Sequence, residues 1–359
     1  MNDNDIFVIH PFLKFSKYKQ KYYLEEAKNL VKAIDLRCRK SFTIGLEKIS
    51  PKTFINKGNI LYFKKQIKES SVDVVFLNVN LTPIQQRNLE NELNAKVIDR
   101  TGLILEIFGS RANSNEGKLS VELASLQFQK SRLVRSWTHL ERQRGGAGFM
   151  GGPGESQIES DRRQITEQIN RIKKKILTID KTRRLHRYRR QKNRIPIITL
   201  VGYTNSGKST LFNNLTNSST LAKNMLFATL DSSIKKLNIN SQSFILIDTV
   251  GFIRDLPTNL IAAFKSTLDE IIFSDLILHV RDVSDKDSHN QANEVVKVLE
   301  EIGINSCDDR IIEVFNKYDL LENNLLTDSK INQKKHFISA INGFGIKKLR
   351  NTIYKNLKK

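Results

Sequence analysis

One eight-residue segment constrains the fold of this chain more than any other. Residues 202–209 have the sequence GYTNSGKS, and the apolar run before them, at 195–201, predicts a buried strand. Residues 210–215 have the pattern of a helix. A G-x-x-x-x-G-K-S loop between a strand and a helix surrounds phosphates with backbone N–H groups at the helix N-terminus. The segment therefore predicts a P-loop nucleotide-binding domain of the α/β class.

Five side or main chains in this region have the chemistry of a Mg²⁺-dependent phosphoryl-transfer site. Lys208 is expected to reach the β- and γ-phosphates, and the Ser209 hydroxyl to bind Mg²⁺. A strand pattern ends at Asp248, which can hold a water of the Mg²⁺ shell, and Gly251 can donate its N–H to the γ-phosphate. Thr229 lies between these loops and can complete the metal shell through its hydroxyl.

The segment N-K-Y-D at 316–319, which follows another strand pattern, predicts which base the bound nucleotide has. The Asp319 carboxylate can accept from the N1–H and the 2-amino group of guanine, whereas adenine would leave it unpaired. Lys317 can lie along the base, and Asn316 can tie this loop to the phosphate-binding loop. The Ser-Ala pair at 339–340 can present an N–H to the guanine O6. GTP is therefore the predicted substrate.

The predicted site residues fall into three groups. The catalytic residues are Lys208, Thr229 and Gly251, and the metal ligands are Ser209 and Thr229. The nucleotide-binding residues are Gly202, Tyr203, Thr204, Asn205, Ser206, Gly207, Lys208, Ser209, Phe227, Ala228, Thr229, Leu230, Asp231, Asp248, Thr249, Val250, Gly251, Asn316, Lys317, Tyr318, Asp319, Ile338, Ser339 and Ala340.

The residue after Gly251 is Phe252, where many small GTPases have a glutamine that orients the attacking water. Phenylalanine makes no such hydrogen bond. We therefore expect slow intrinsic turnover that a partner accelerates. The alternative is that Phe252 packs beneath the switch, the nucleotide-responsive segment that follows Asp248, and that Arg254 or Asp255 orients the water.

Positive charge is concentrated in the middle of the chain. The net charge is +21, and residues 116–194 contain 20 Lys and Arg against 8 Asp and Glu. Residues 195–359 are nearly balanced, at 20 against 18, and residues 1–115 contain 19 against 12. A uniform compositional bias would not produce this distribution. It predicts a surface that binds a polyanion, with nucleic acid favoured over a merely solvated face.

The pattern of elements predicts three domains. Residues 1–115 alternate strand-like runs with helical stretches, which predicts a small α/β domain. Residues 116–194 are predicted to form a basic helical hairpin, and residues 195–359 the nucleotide-binding domain. The clearest elements of the first domain are strands at 72–77 and 96–99 and helices at 22–34 and 83–93.

Apolar residues at heptad spacing predict that the hairpin is antiparallel. Two such helices joined by a short segment bury their stripes against each other, so the stripes are expected to be core. The first seam, broken once by Lys130, comprises Leu119, Leu123, Leu126, Leu133, Trp137 and Leu140. The second comprises Ile158, Ile165, Ile169, Ile172, Ile176 and Ile179.

A glycine-rich segment at 145–155 joins the two predicted helices. Six of its eleven residues are glycine, which predicts non-helical backbone, and Glu155 then begins the second helix with a favourable charge. A helical hairpin needs only about two to five connecting residues. This segment is longer and includes Phe149 and Met150. We therefore expect a functional tip, with a flexible connector as the alternative.

The second arm ends in a basic run at 183–194 that covers most faces of the helix. This arrangement suits contacts with a phosphate backbone. A solvated linker helix is the alternative interpretation.

Membrane and secretory classes are disfavoured by the sequence. The longest apolar run is far shorter than the ~20 residues of a membrane span, and the polar N-terminus is no secretory signal. Cys38 and Cys307 have neither metal-ligand spacing nor a disulfide framework. We therefore expect a cytoplasmic monomer, with peripheral association with membranes left open.

Several segments resemble the HflX family of translation-factor-related GTPases, from about residue 51 to the C-terminus. The G-P-G-E sequence is particularly diagnostic. The segments are LFATLD at 226–231, DTVGFIRDLP at 248–257, GPGESQIESDRR at 152–163, DRTGLILEIF at 99–108 and EGKLSVEL at 116–123.

The resemblance implies an α/β N-terminal domain, a helical hairpin and a Ras-like doubly wound GTPase domain. It also implies binding to the 50S ribosomal subunit and its rRNA, and dissociation of stalled or idle ribosomes, with the hairpin tip directed toward the peptidyl-transferase region. Gly151 departs from the arginine that many members have before G-P-G-E. A C-terminal appendage, present in some members, is not expected after a final helix at 346–357.

The sequence is also compatible with two other functions. One is an RNA-binding, RNA-remodelling or ribosome-assembly factor in which residues 1–194 act on RNA and the GTPase domain only regulates them. The other is a membrane-surface signalling GTPase. It is disfavoured because the two arms, with their apolar faces buried on each other, leave no free amphipathic face.

Overall fold

The computed structural model describes residues 5–14, 20–141, 153–192, 195–218, 226–227, 230–255, 265–321 and 335–358. The chain divides into two compact units. The first comprises Met1–Ser110 and Val121–Lys175, and the second Arg111–Ser120 and Ile176–Lys359.

The first unit is built on a four-stranded parallel sheet with the strand order β2-β1-β3-β4. Phe7 and Val75 of the sheet pack with Phe63 and Leu89 of the helices in one core. The elements are β1 (Asp5–Leu13), α1 (Gln20–Lys32), β2 (Arg37–Leu46), α2 (Lys57–Ser70), β3 (Val74–Leu77), α3 (Pro83–Leu93), β4 (Lys96–Asp99) and α4 (Arg100–Arg111).

Two long helices, α5 (Asn115–Glu141) and α6 (Pro153–Lys192), occupy the stretch predicted as a hairpin. The seam residues Leu123 and Ile169 are buried, as the heptad pattern predicts. The second helix begins two residues before the predicted Glu155, because a proline fits the first helical position, where no N–H is needed. Most of the predicted tip, including Phe149 and Met150, lies outside the described residues.

The second unit is built on a six-stranded sheet with the order β10-β9-β8-β5-β7-β6. All neighbouring pairs are parallel except β6 with β7. The elements are β5 (Ile197–Val201), α7 (Lys208–Thr216), β6 (Ser233–Ile239), β7 (Gln242–Asp248), α8 (Lys265–Ile272), β8 (Leu276–Asp282), α9 (Ser288–Glu301), β9 (Ile311–Asn316), a 3₁₀ turn (Tyr318–Leu320), β10 (Lys335–Phe337) and α10 (Ile346–Leu357).

The central strands β5 and β8 of this sheet are mostly apolar and mostly buried. Ile198 and Leu200 of β5 pack with Leu278 of β8, Phe212 of α7 and Ile353 of α10 in one core. Continuous apolar strands are typical of a parallel sheet that helices cover on both faces. The prediction of an α/β fold is therefore confirmed. Over the described ranges, no helix has the length and apolar character needed to cross a bilayer.

Candidate nucleotide-binding site

The predicted phosphate, metal and base segments meet at one edge of the six-stranded sheet. Gly202 follows β5, Asp248 ends β7, Asn316 ends β9 and Ser339 lies two residues after β10. These strands run parallel, so their C-terminal ends lie on the same side of the sheet. Ligands of open α/β sheets bind in the crevice at that side.

Asn316 joins three of these loops. Its Nδ2 donates to the Ser206 carbonyl at 2.9 Å, and its Oδ1 accepts from the Ala340 N–H at 2.9 Å. Gly207 lies directly against it: φ is +90° there, and a Cβ would lie 2.1 Å from Nδ2. Glycine is therefore required at 207 both by the backbone conformation and by the close approach of the amide.

Lys208 is buried at the start of α7 and folds back over the phosphate-binding loop. Its Nζ donates to the carbonyls of Gly202 at 3.1 Å and Tyr203 at 2.8 Å. Burial lowers the pKa of Lys208 to about 8, and the nearby Asp248 carboxylate opposes this shift. The lysine is thus held by neutral acceptors in the place where phosphate oxygens would give it a charged partner.

Ser209 and Asp248 form the candidate metal site. The serine Oγ donates to Asp248 Oδ2 at 2.7 Å. Mg²⁺ prefers oxygen ligands and usually binds one or two protein groups, with substrate phosphates and waters filling its shell. An adjacent hydroxyl and carboxylate beside a phosphate-binding loop fit that requirement. Thr229, the other predicted ligand, lies outside the described residues together with Ala228.

The segment after β7 is hydrogen-bonded to the phosphate-binding loop. Phe252 donates its N–H to the Gly202 carbonyl at 3.1 Å and accepts from the Thr204 N–H at 2.7 Å. The Tyr203 hydroxyl accepts from the Arg254 N–H at 3.0 Å. The Phe252 side chain is fully buried. This geometry agrees with the alternative in which Phe252 packs beneath the switch.

Gly251 and Thr249 both lie in the segment after β7, but they make different contacts. A Cβ at 251 would lie 2.8 Å from Thr204 Cα and 3.0 Å from Lys208 Nζ, so the glycine brings this backbone onto the phosphate-binding loop. Thr249 was predicted to bind nucleotide. Its buried hydroxyl donates to the Leu200 carbonyl of β5 at 2.7 Å, which fixes the strand end. Val250 is also buried.

The base-reading segment is held by contacts that the motif alone did not reveal. Lys317 Nζ lies 2.5 Å from Asp282 Oδ2, at the end of β8. Tyr318 donates its N–H to the Ile338 carbonyl at 3.1 Å and stacks on Phe344, with ring centroids 5.1 Å apart. Asp319 is exposed. Asp282 had a sequence signal, because like Asp248 it is a carboxylate at the end of an apolar strand.

His279 of β8 is a buried group that sequence reasoning missed. Burial lowers its pKa to about 3, and the positive charges of Arg281 and Lys208 lower it further. The imidazole is therefore neutral at physiological pH. It adds no positive charge beneath the phosphate-binding loop.

We name residues 226–231, which include the predicted metal ligand Thr229, switch I; this segment is described only in part. Phe227 and Leu230 are buried. Asp231 was predicted among the nucleotide-binding residues. The structure places its carboxylate against the start of α5, where it accepts from the N–H groups of Asn113 and Ser114, each at 2.8 Å.

Comparison with known families matches three models along the chain. Residues 21–109 match the N-terminal region of a GTP-binding GTPase family, and residues 111–190 match its middle region. Residues 197–317 match a model described as a 50S ribosome-binding GTPase.

Curated relatives cover most of the chain. GTPase HflX of Magnetococcus marinus is 47% identical over 91% of this chain and 76% of its own length. GTPase HflX of Escherichia coli is 41% identical over 93% of this chain and 79% of its own. A crystal structure of SsGBP with GDP covers 98% of both chains, with 24% identity and a TM-score of 0.53, and supports the fold. The Ras-like P-loop domain after an α/β domain is confirmed, and the chain belongs to the HflX family of GTPases.

Proposed function

We propose that this protein binds GTP with Mg²⁺, hydrolyses it to GDP and phosphate, and uses the cycle to bind the 50S subunit and split ribosomes. The observation that carries the proposal is the assembled edge of the six-stranded sheet. There, Asn316 bonds the phosphate-binding loop to the base loop and Ser209 meets Asp248. The description of the matched family model, a 50S ribosome-binding GTPase, supports the choice of partner.

The residues at this edge divide the chemistry between them. Mg²⁺, held through Ser209, Asp248 and Thr229, would neutralise charge on the β- and γ-phosphates. Lys208 gives up its two carbonyl acceptors for phosphate oxygens, and the Gly251 N–H stabilises charge on the γ-phosphate. Because Phe252 is buried and orients no water, a partner that remodels this segment, with its Arg254 and Asp255, would position the water. The ribosome is the proposed partner.

The hairpin supplies the surface for rRNA. The last part of α6 belongs to the nucleotide-binding unit and exposes Arg184, Leu185 and Tyr188 on the same stretch. Arginine pairs with phosphates, and an exposed aromatic ring gives a base a surface on which to stack. With the excess positive charge of residues 116–194, this favours RNA over a purely solvated helix.

Partner activation gives the direct test of the proposal. Adding 50S subunits should raise steady-state GTP hydrolysis by at least ~10-fold, equivalent to ~1.4 kcal/mol of barrier. Isolated 30S subunits, which also expose rRNA phosphates, serve as the control and should have a much smaller effect. Co-sedimentation with the GTP analogue should recover more protein on 50S than with GDP. A high basal rate that ignores 50S would contradict the proposal.

Nucleotide choice is expected to depend on Asp319. Asp319→Asn exchanges one acceptor oxygen for a donor, so GTP affinity should fall by ~30-fold, or ~2 kcal/mol, for a lost charged hydrogen bond. Affinity for xanthosine triphosphate should rise, because its 2-oxo group accepts from the new amide. Competition binding measures both. Asp309→Asn, at another exposed aspartate of the same unit, is the matched control. An unchanged preference for GTP in Asp319→Asn would mean that the base is read elsewhere.

A further inference from the structure

The first turn of α5 has an incomplete cap within its own sequence. Ser114 is the N-cap: its Oγ accepts from the Gly117 N–H at 2.8 Å. In a capping box, a Glu or Gln at that third helical position reaches back to the N–H of the N-cap residue. Gly117 has no side chain to do so. α5 itself therefore supplies no side chain at this position to accept from the N–H of Ser114.

Asp231 of switch I is the acceptor for this N–H. Its Oδ2 accepts from the N–H groups of Ser114 and Asn113, each at 2.8 Å, and its Oδ1 accepts from the Ser114 hydroxyl at 2.5 Å. A Cβ on Gly117 would lie only 2.2 Å from Oδ1. The glycine thus leaves the space in which the carboxylate lies. A negative charge at this position is also favoured by the partial positive charge of the helix N-terminus.

The start of α5 is itself fixed within the second unit. Glu116, in its first turn, pairs with Arg183 of α6 at 2.8 Å. The same guanidinium lies 4.0 Å from Glu270 of α8, a buried carboxylate. These three residues tie the first turn of α5 to two other helices. Asp231 is therefore bonded to an anchored helix end.

We propose that Asp231 is a positioning residue: it completes the capping box of α5 and so fixes one end of switch I, the segment that contains the proposed metal ligand Thr229, for binding of the triphosphate. The inference rests on the proposed role of Thr229 as a metal ligand. Phe227 and Leu230, two other described residues of this segment, are buried. Preorganisation lowers the entropy that binding must otherwise remove.

Loss of the Asp231 contact with α5 should lower the affinity for GTP and have little effect on the affinity for GDP, because only the triphosphate has the γ-phosphate to which switch I is recruited. Asp231→Ala should lower the affinity for guanosine 5′-(β,γ-imido)triphosphate, relative to GDP, by about five-fold, the size of a typical capping contribution. The Mg²⁺ concentration at half-saturation should be higher in Asp231→Ala than in wild type when the triphosphate analogue is bound, and unchanged when GDP is bound. Both are measured by titration of the full-length protein.

A glutamate at position 117 separates anchoring from helix capping. Gly117→Glu should cap Ser114 from within α5 and displace Asp231, so it should lose triphosphate preference without loss of thermal stability. Asp231→Ala/Gly117→Glu has no carboxylate to clash with the new side chain. It should recover the unfolding temperature lost in Asp231→Ala but keep the lowered triphosphate preference. Gly109→Glu, on α4 with open space around the glycine, is the control and should match wild type.

The double variant decides the question. If Asp231 served only to cap α5, the internal glutamate would restore the wild-type ratio of triphosphate to GDP affinity, and the proposal would be overturned. Should Gly117→Glu alone fail to fold, the double variant still gives this result. Thr229→Ala separates the two hypotheses: an unchanged ratio there, with a lowered ratio in Asp231→Ala, would reject the metal role of Thr229 within the proposed function.

Discussion

Lys208→Ala is expected to abolish measurable GTP hydrolysis and to weaken GTP binding by ~100-fold or more. The Nζ is the one cationic group that the described residues place in the phosphate-binding loop, where it now donates to the Gly202 and Tyr203 carbonyls. Removing one preorganised donor from a phosphoryl or oxyanion site costs roughly 2.7–4 kcal/mol of transition-state stabilisation. Single-turnover hydrolysis and equilibrium nucleotide binding measure the two effects separately.

The pH dependence of binding gives an independent check on the same lysine. Its pKa is lowered to about 8, chiefly by burial, while phosphates would raise it again in the complex. Above pH about 8 the unliganded protein has lost this proton, so binding must take one up, and GTP affinity should fall as pH rises. The fall should be absent in Lys208→Ala. Unchanged turnover in that variant would remove Lys208 from the mechanism.

Elements with local signals were predicted well from the sequence. The helix at 83–93 has the predicted bounds because Thr82 and Gln85 form a capping box around Pro83, which determines its start locally. The edge strands β2 and β6 were not predicted. β2 begins with charged, exposed residues and is defined by its pairing with β1, a contact between distant parts of the chain.

In the nucleotide site, too, features determined by local sequence could be predicted, and contacts between distant residues could not. The phosphate, metal and base segments are short motifs whose spacing follows from strand order, so Lys208, Asp248 and Asn316 could be named in advance. The contact of Asp231 with Ser114 joins residues 117 positions apart, and no periodicity points to it. The sequence signal for this contact was Gly117, which lies where a capping box would have Glu or Gln. That signal can be interpreted only once Asp231 is known to lie beside it.

The basic end of α6 is expected to determine affinity for the 50S subunit. Each phosphate that an arginine neutralises releases counterions, so affinity should fall steeply with salt. Reversing Arg187, Arg189 and Arg190 to Glu should weaken binding and flatten that salt dependence, while hydrolysis without ribosomes stays intact. Co-sedimentation across a salt series measures the slope. An unchanged slope would place the rRNA contact outside α6.

Shortening the segment 145–154 to a tight turn should leave 50S binding largely intact and abolish splitting, whereas the arginine reversal weakens binding. We expect it to have the largest effect on function. The deletion removes few charges, so 50S binding and its salt dependence should largely survive. Splitting should be lost, because a binding surface alone does not separate subunits. The family resemblance implies that the glycine-rich tip, with Phe149 and Met150, is the part directed into the ribosome. Light scattering of 70S particles follows the loss directly, and the Arg187, Arg189 and Arg190 reversal is the matched comparison. A tip-deleted protein that splits 70S as fast as wild type would reduce the tip to a connector between α5 and α6.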